Sequence, residues 1–165
     1  MPKYEKNDSM ILPKAQILIG VINMKSNQEV LTSILKTTQM GQTGIRCVLD
    51  WAMKPGLRKA LESQLAEYDG IETEAYRLAS QRGWELQDIQ PIVKTMSNMM
   101  TRAKLKGGNT DSKIAGMMIQ GNTRGVITGL KMQHQWPGKD TQIGFLSQKL
   151  LDSENANIRQ MQQFL

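Results

Sequence analysis

From Ser26 onward, apolar and small residues return every three or four positions, the spacing that lines one face of a helix. The first such stripe is Val30, Ile34, Thr37, Gly41, Ile45, Val48 and Ala52. Ser26 or Asn27 can cap its amino end, with Glu29 close enough to favour it. Lys54-Pro55-Gly56 stops it, because proline disfavours helical geometry in the residue before it. A second stripe runs through Leu57, Leu61, Gln64, Tyr68, Ile71, Ala75 and Leu78. It opens near Pro55, which a first helical turn tolerates, and closes at Arg82-Gly83, a left-handed glycine stop.

Asp88 can cap a third helix carrying Pro91, Val93, Met96 and Met100, which meets Gly107-Gly108-Asn109-Thr110. Periodicity resumes at once in Ile114, Met118, Gly121, Gly125, Gly129 and Met132, with Thr110 or Asp111 placed to cap. Two glycines cost only about 2 kcal/mol against alanine and the phase continues across them, so the pattern favours one long helix kinked near Gly107-Gly108 over two consecutive helices. Trp136-Pro137-Gly138-Lys139-Asp140 is a terminator and turn. The last helix runs from about Thr141 to the carboxyl end, burying Ile143, Leu146, Leu150, Asn157 or Ile158, and Met161. The sum is an all-α chain whose residues 26–165 form an up-down-up-down four-helix bundle with tight turns.

Residues 1–25 break this pattern and read as an N-terminal extension, a short strand or irregular. Its apolar run, Ile17 to Ile22, is about a third of a bilayer span. Asn23-Met24-Lys25 is a poor signal-peptide cleavage site. Met24 offers a second start, since the helical pattern begins immediately after it. A chain of 165 residues fits one domain. Its 39% hydrophobic and 22% charged residues fit a folded one. Cys47 is the sole cysteine, which excludes an internal disulfide and points to a reducing cytoplasm.

Four segments carry a likeness: Lys36-Thr-Thr-Gln-Met-Gly-Gln-Thr-Gly-Ile45, Gln64-Leu-Ala-Glu-Tyr68, Met117-Met-Ile-Gln-Gly-Asn-Thr-Arg-Gly-Val126 and Glu154-Asn-Ala-Asn-Ile158. On them, residues from about Lys25 to Leu165 resemble small ferritin-like bundle proteins of anaerobic Gram-positive bacteria, a group without an established activity. The resemblance implies a ferritin-like fold. Ferritin-like di-iron proteins use a carboxylate on each of two helices and a Glu-x-x-His pair on each of the other two. Here Glu67-Tyr-Asp-Gly70 and Glu154-Asn-Ala-Asn157 lack both histidines, and Gln39 or Gln42, and Gln120, stand near the other carboxylate positions. No metal and no cofactor is expected, and Gln42, Glu67, Gln120, Glu154 and Asn157 remain as vestigial positions. The one histidine, His134, sits near a helix end beside Trp136 and reads as exposed or packing.

Other features have structural readings. Glu67 lies in an acidic stretch and reads as solvated. Gln64 and Tyr68 fall on the apolar stripe and read as an interior polar pair. Gly121, Gly125 and Gly129, four residues apart, let another helix approach. Together with Ala115, Ile119, Val126 and Leu130 they cover roughly half the helix circumference, wide enough for a homodimer through helix 3. The methionines read as plastic core filling. The net charge of +6 raises nucleic acid or an anionic surface as a partner. If the helix continues through the glycines, Arg102, Lys106, Lys113, Arg124 and Lys131 form one basic stripe, though no recognition motif accompanies it. The resulting expectation is a ferritin-like bundle that binds or assembles rather than catalyses. The alternatives are a metal-binding or oxidative-stress protein with a non-standard metal site, and a weak binder of nucleic acid or anionic surfaces.

Overall fold

The computed structural model describes residues 24–89, 101–102, 104–138 and 140–165. Nearly all of the N-terminal extension, and the third-helix positions Pro91, Val93, Met96 and Met100, lie outside them. Among the described residues all regular structure is helical, and four long helices account for most of it, consistent with a four-helix bundle. They are α1 (Asn27–Val48), α2 (Pro55–Gln81), α3 (Thr110–Gln135) and α4 (Thr141–Gln162). A 3₁₀ turn, Leu49–Trp51, extends α1 toward the Pro55 stop. None of these helices is long and apolar enough to cross a membrane.

Local chemistry explains most of the boundaries. At the start of α1, Ser26 Oγ accepts from the Glu29 amide at 3.2 Å while Glu29 accepts from the Ser26 amide at 2.8 Å, a reciprocal capping box. Asp140 caps α4 by accepting from the Gln142 and Ile143 amides at 3.1 Å. Its other oxygen takes Arg82 at 2.7 Å, which ties the end of α2 to the start of α4. Burial opposes ionisation of Asp140, but the Ile143 amide and Arg82 prevail and hold its carboxyl below the usual range.

The sequence pattern misplaced the start of α3. Gly107, Gly108 and Asn109 have φ of 90°, 86° and 49°. Three successive left-handed residues cannot continue a right-handed helix, so the chain breaks there rather than kinks. Helical propensity priced the glycines as if they stayed helical; their actual φ values end the helix. Asp111 does not cap its own helix either. Its carboxylate reaches across the bundle to accept from the Met53 and Lys54 amides at 2.8 and 3.0 Å, serving the start of α2, where Lys54 provides no side-chain cap.

The up-down-up-down order is also corrected. Lys25 N–H donates to the Gln135 carbonyl at one end, and Asp111 meets Met53 at the other, so α1 and α3 are antiparallel. Gln42 meets Asp69 and Gln39 meets Glu72, which makes α1 and α2 antiparallel. Tyr68 meets Glu154 and Gln64 meets Gln160, which makes α2 and α4 antiparallel. Thus α2 and α3 run the same way, opposite to α1 and α4. Tight turns would forbid this, but residues 82–109 separate α2 from α3, enough chain to return along the bundle.

The core is built from the predicted stripes. Leu57, Leu61, Tyr68, Ile71, Ala75 and Leu78 of α2 pack against Leu31, Leu35 and Ile45 of α1, Ile114 of α3, and Ile143 and Met161 of α4. Beyond Asn122, however, no residue of α3 is fully buried. That half of the helix packs on α4 with one side, at Gly125 and Gly129, and with another forms one wall of a cleft.

Candidate functional site: a cleft between α1 and α3

The cleft is a cavity of about 950 Å³ between α1 and the second half of α3. Glycines line both of its sides. Gly41 and Gly44 face it from α1, and Gly121 and Gly125 from α3. Around Gly121 there is open space: a Cβ built there would meet no atom within 4 Å. The walls carry Thr37, Thr128, Met40, Met117 and Met132, and the floor is Tyr68, Asn122 and Glu154.

The floor is a buried polar cluster drawn from three helices. Tyr68 of α2, Asn122 of α3 and Glu154 of α4 are 1%, 3% and 2% exposed. Tyr68 Oη lies 2.9 Å from Asn122 Oδ1 and 3.0 Å from Glu154 Oε1. Two glycines make the cluster fit. A Cβ on Gly41 would fall 2.6 Å from the Tyr68 ring, and one on Gly125 would fall 2.6 Å from Glu154 Cδ. Both are closer than real Cβ atoms approach, so ring and carboxyl occupy volume that any other residue would deny them.

Proton accounting defines the chemistry of this cluster. The Asn122 amide donates from Nδ2 to the Met118 carbonyl at 2.8 Å, which turns its Oδ1 toward Tyr68 as an acceptor. The phenol has one proton for two neighbouring oxygens. If it donates to Asn122, Glu154 completes the chain only as the neutral acid, donating its own proton to Tyr68 Oη. Burial favours that form: it pushes the Glu154 carboxyl up to about 7, against the opposing pull of the Tyr68 hydrogen bond. Burial, and then the Glu154 charge, drive the Tyr68 phenol far above its usual range, so it stays protonated. Glu154 Oε2 has no hydrogen-bond partner.

The structure sorts the sequence candidates. Glu154 and Asn157 are interior, and Asn157 rather than Ile158 takes the buried position in α4. Glu67 and Gln120 are exposed, so neither points to the interior. Gln42 is buried but donates to Asp69 and Glu72 at 2.8 Å, and Gln39 likewise donates to Glu72 and Asp88 at 2.9 Å. Gln39 Oε1 also accepts the Ile89 amide at 3.0 Å, docking the chain after α2 onto α1. Gln64 and Tyr68 are both interior, yet they are not a pair. Gln64 donates to Gln160 at 2.8 Å, because its side chain turns to α4 rather than along its own helix.

Gly125 and Gly129 serve packing against α4, at Glu154 and Leu151, whereas Gly121 opens the cleft instead. The basic stripe is interrupted: only Lys113, Arg124 and Lys131 share α3, since Arg102 and Lys106 precede the break. Lys113 turns back to the Lys106 carbonyl at 2.8 Å. His134 is exposed, with Nδ1 2.8 Å from the Leu130 carbonyl. Among the described residues, no group of three or more His, Cys, Asp or Glu side chains is placed to hold a metal ion. Sequence reasoning missed Asn122 in the cluster, although it continues the four-residue rhythm of Ile114 and Met118. No family profile matches the chain, and neither a curated protein nor a solved structure matches it significantly.

Proposed function

We propose that this chain is a ferritin-like bundle that has exchanged a di-metal centre for a tyrosine-carboxyl cluster, and that it works by binding a small ligand in the α1–α3 cleft. The carrying observation is the opening of that buried cluster into a cavity of about 950 Å³. Small-molecule sites are typically about 300–1,000 Å³, mostly apolar, with few convergent polar groups. The helix directions support the ferritin-like reading, since such folds have a single long crossover. Glu154 as the single acid at the floor, with Glu67 turned to solvent, weighs against the metal-storage alternative and against an acid–base pair.

Titration of methyl-labelled methionine with decanol, decanoate and decyltrimethylammonium, below their micellar concentrations, tests this reading. Met40, Met117 and Met132 should shift with at least one probe while buried Met161 does not. If no probe moves them, and the protein instead retains one or more iron or manganese ions per chain, the metal alternative replaces it. The exposed Ile127 and Leu130 on the outer side of α3 favour a second copy there. Sedimentation as a monomer at high micromolar concentration would dispose of that homodimer.

A further inference from the structure

We infer that the cleft is selective for amphiphilic anions, molecules with an apolar chain or ring and one carboxylate or phosphate head. This rests on the ligand-binding reading above and specifies the class of ligand.

The head group is argued from charge. Lys36 of α1, Arg124 of α3, and Lys104, which precedes the break before α3, all line the cleft. None of the three has an ion-pair partner among the described residues, where the salt bridges join Lys25–Glu29, Arg46–Asp69, Arg77–Glu74 and Arg82–Asp140. The acids of the lining are few. Glu29 is committed to Lys25 and to the Ser26 amide, Glu85 stands at the rim, and Glu154 is at the floor. Cations lining a low-dielectric cleft concentrate anions there. Arg124 adds a planar fork matched to carboxylate and phosphate oxygens.

Methionines supply the apolar part of the same lining. Met40, Met117 and Met132 present flexible thioether side chains, which adapt to varied apolar shapes. A bare inorganic anion would leave those walls wet. The floor does not favour a cation below about pH 7: with Glu154 protonated, the form that burial favours, the Tyr68–Glu154–Asn122 chain is neutral and offers no charge for an ammonium to pair with. The glycines then matter twice. Gly121 leaves the space a chain would fill, while Gly125 keeps Glu154 recessed.

The test compares decanoate and decyl phosphate with decanol and decyltrimethylammonium on the full-length protein, using the methionine shifts as readout. The two anions should bind at least ten-fold more tightly than the alcohol and the ammonium, and the preference should shrink in 0.5 M salt. Lys36→Gln combined with Arg124→Gln should reduce anion affinity at least ten-fold while decanol binding is unchanged. Gly121→Phe should abolish binding of every probe with helical content retained. Equal binding of all heads, or a preference for the ammonium, overturns the anion inference and leaves the binding site standing. No binding of any probe overturns both. Should the charge variant fail to fold, the salt dependence and head-group order measured on the unmodified protein decide the matter alone.

Discussion

The Tyr68 ring lies in the space that a side chain at position 41 would occupy, with Cε2 and Cζ each 2.6 Å from where a Gly41 Cβ would stand. The ring belongs to the core and its hydroxyl is held by two other helices, so it cannot simply swing away. Gly41→Ala gains about 1 kcal/mol of helix propensity but must displace the ring, and overpacking of this kind costs about 1–3 kcal/mol. Net destabilisation of up to about 2 kcal/mol is the expected outcome in urea denaturation. An increase in stability would show that the ring relocates freely.

Gly125 and Glu154 stand in a similar relation, but here the obstacle is a carboxyl. Gly125→Ala should destabilise the native chain by up to about 2 kcal/mol once its gain in helix propensity is subtracted, and have a smaller or even stabilising effect beside Glu154→Ala, where the clash is gone. A double-mutant cycle reads the coupling directly. Additive effects would mean that the two positions do not share the space assigned to them.

Glu154 gives the fold a pH dependence of definite sign. Its folded-state value of about 7 is raised above the ordinary 4.5. Below pH 4.5 both folded and unfolded chains hold the proton, and the full contribution is present. As pH rises from there through about 7 the unfolded chain has released the proton while the folded chain still holds it, so stability falls. Glu154→Gln keeps a donor for Tyr68 without the titration. Its stability relative to the native chain should therefore rise by at most about 3 kcal/mol between pH 4 and 8. Denaturation at both pH values checks this; a constant difference between the two proteins would contradict it.

Asp111→Ala removes the acceptor of two amides at the α1–α2 turn. Leaving partly buried N–H groups without a partner costs about 1–3 kcal/mol. Faster amide exchange at Met53 and Lys54 should accompany that loss. Protection unchanged at both amides would show that another group caps the turn.

The local periodicity of the chain made the helices legible. All seven stripe residues predicted for α2 are buried, and so are Ile143, Leu146, Leu150 and Met161 of α4. The Ser26–Glu29 capping box was equally readable, because its partners are three residues apart. What was hidden depends on long separations. The direction of α3 turns on the length of the connection before it, which hydrophobic phase does not encode. Asp111 looked like a cap for its own helix because sequence shows only its neighbours.

The cluster was half legible. Tyr68 and Glu154 both fall on apolar stripes, the sign of an interior polar group, but their juxtaposition is set by α2 and α4 crossing at one level. Asn122 fell on a stripe too, masked by the glycines around it. The cleft itself had no signature beyond those glycines. A small residue reads the same way whether another helix lies against it, as at Gly125, or empty space does, as at Gly121.

The hydrogen bonds from the Met53 and Lys54 amides to Asp111 bear on how the molecule assembles. The turn between the first two helices is closed by a residue 57 or 58 positions later in the chain. A growing polypeptide that has made only α1 and α2 therefore holds an open hinge, and the hairpin acquires its final angle when the first turn of α3 arrives. Those contacts leave the turn of the amino-terminal pair of helices incomplete until α3 is in place.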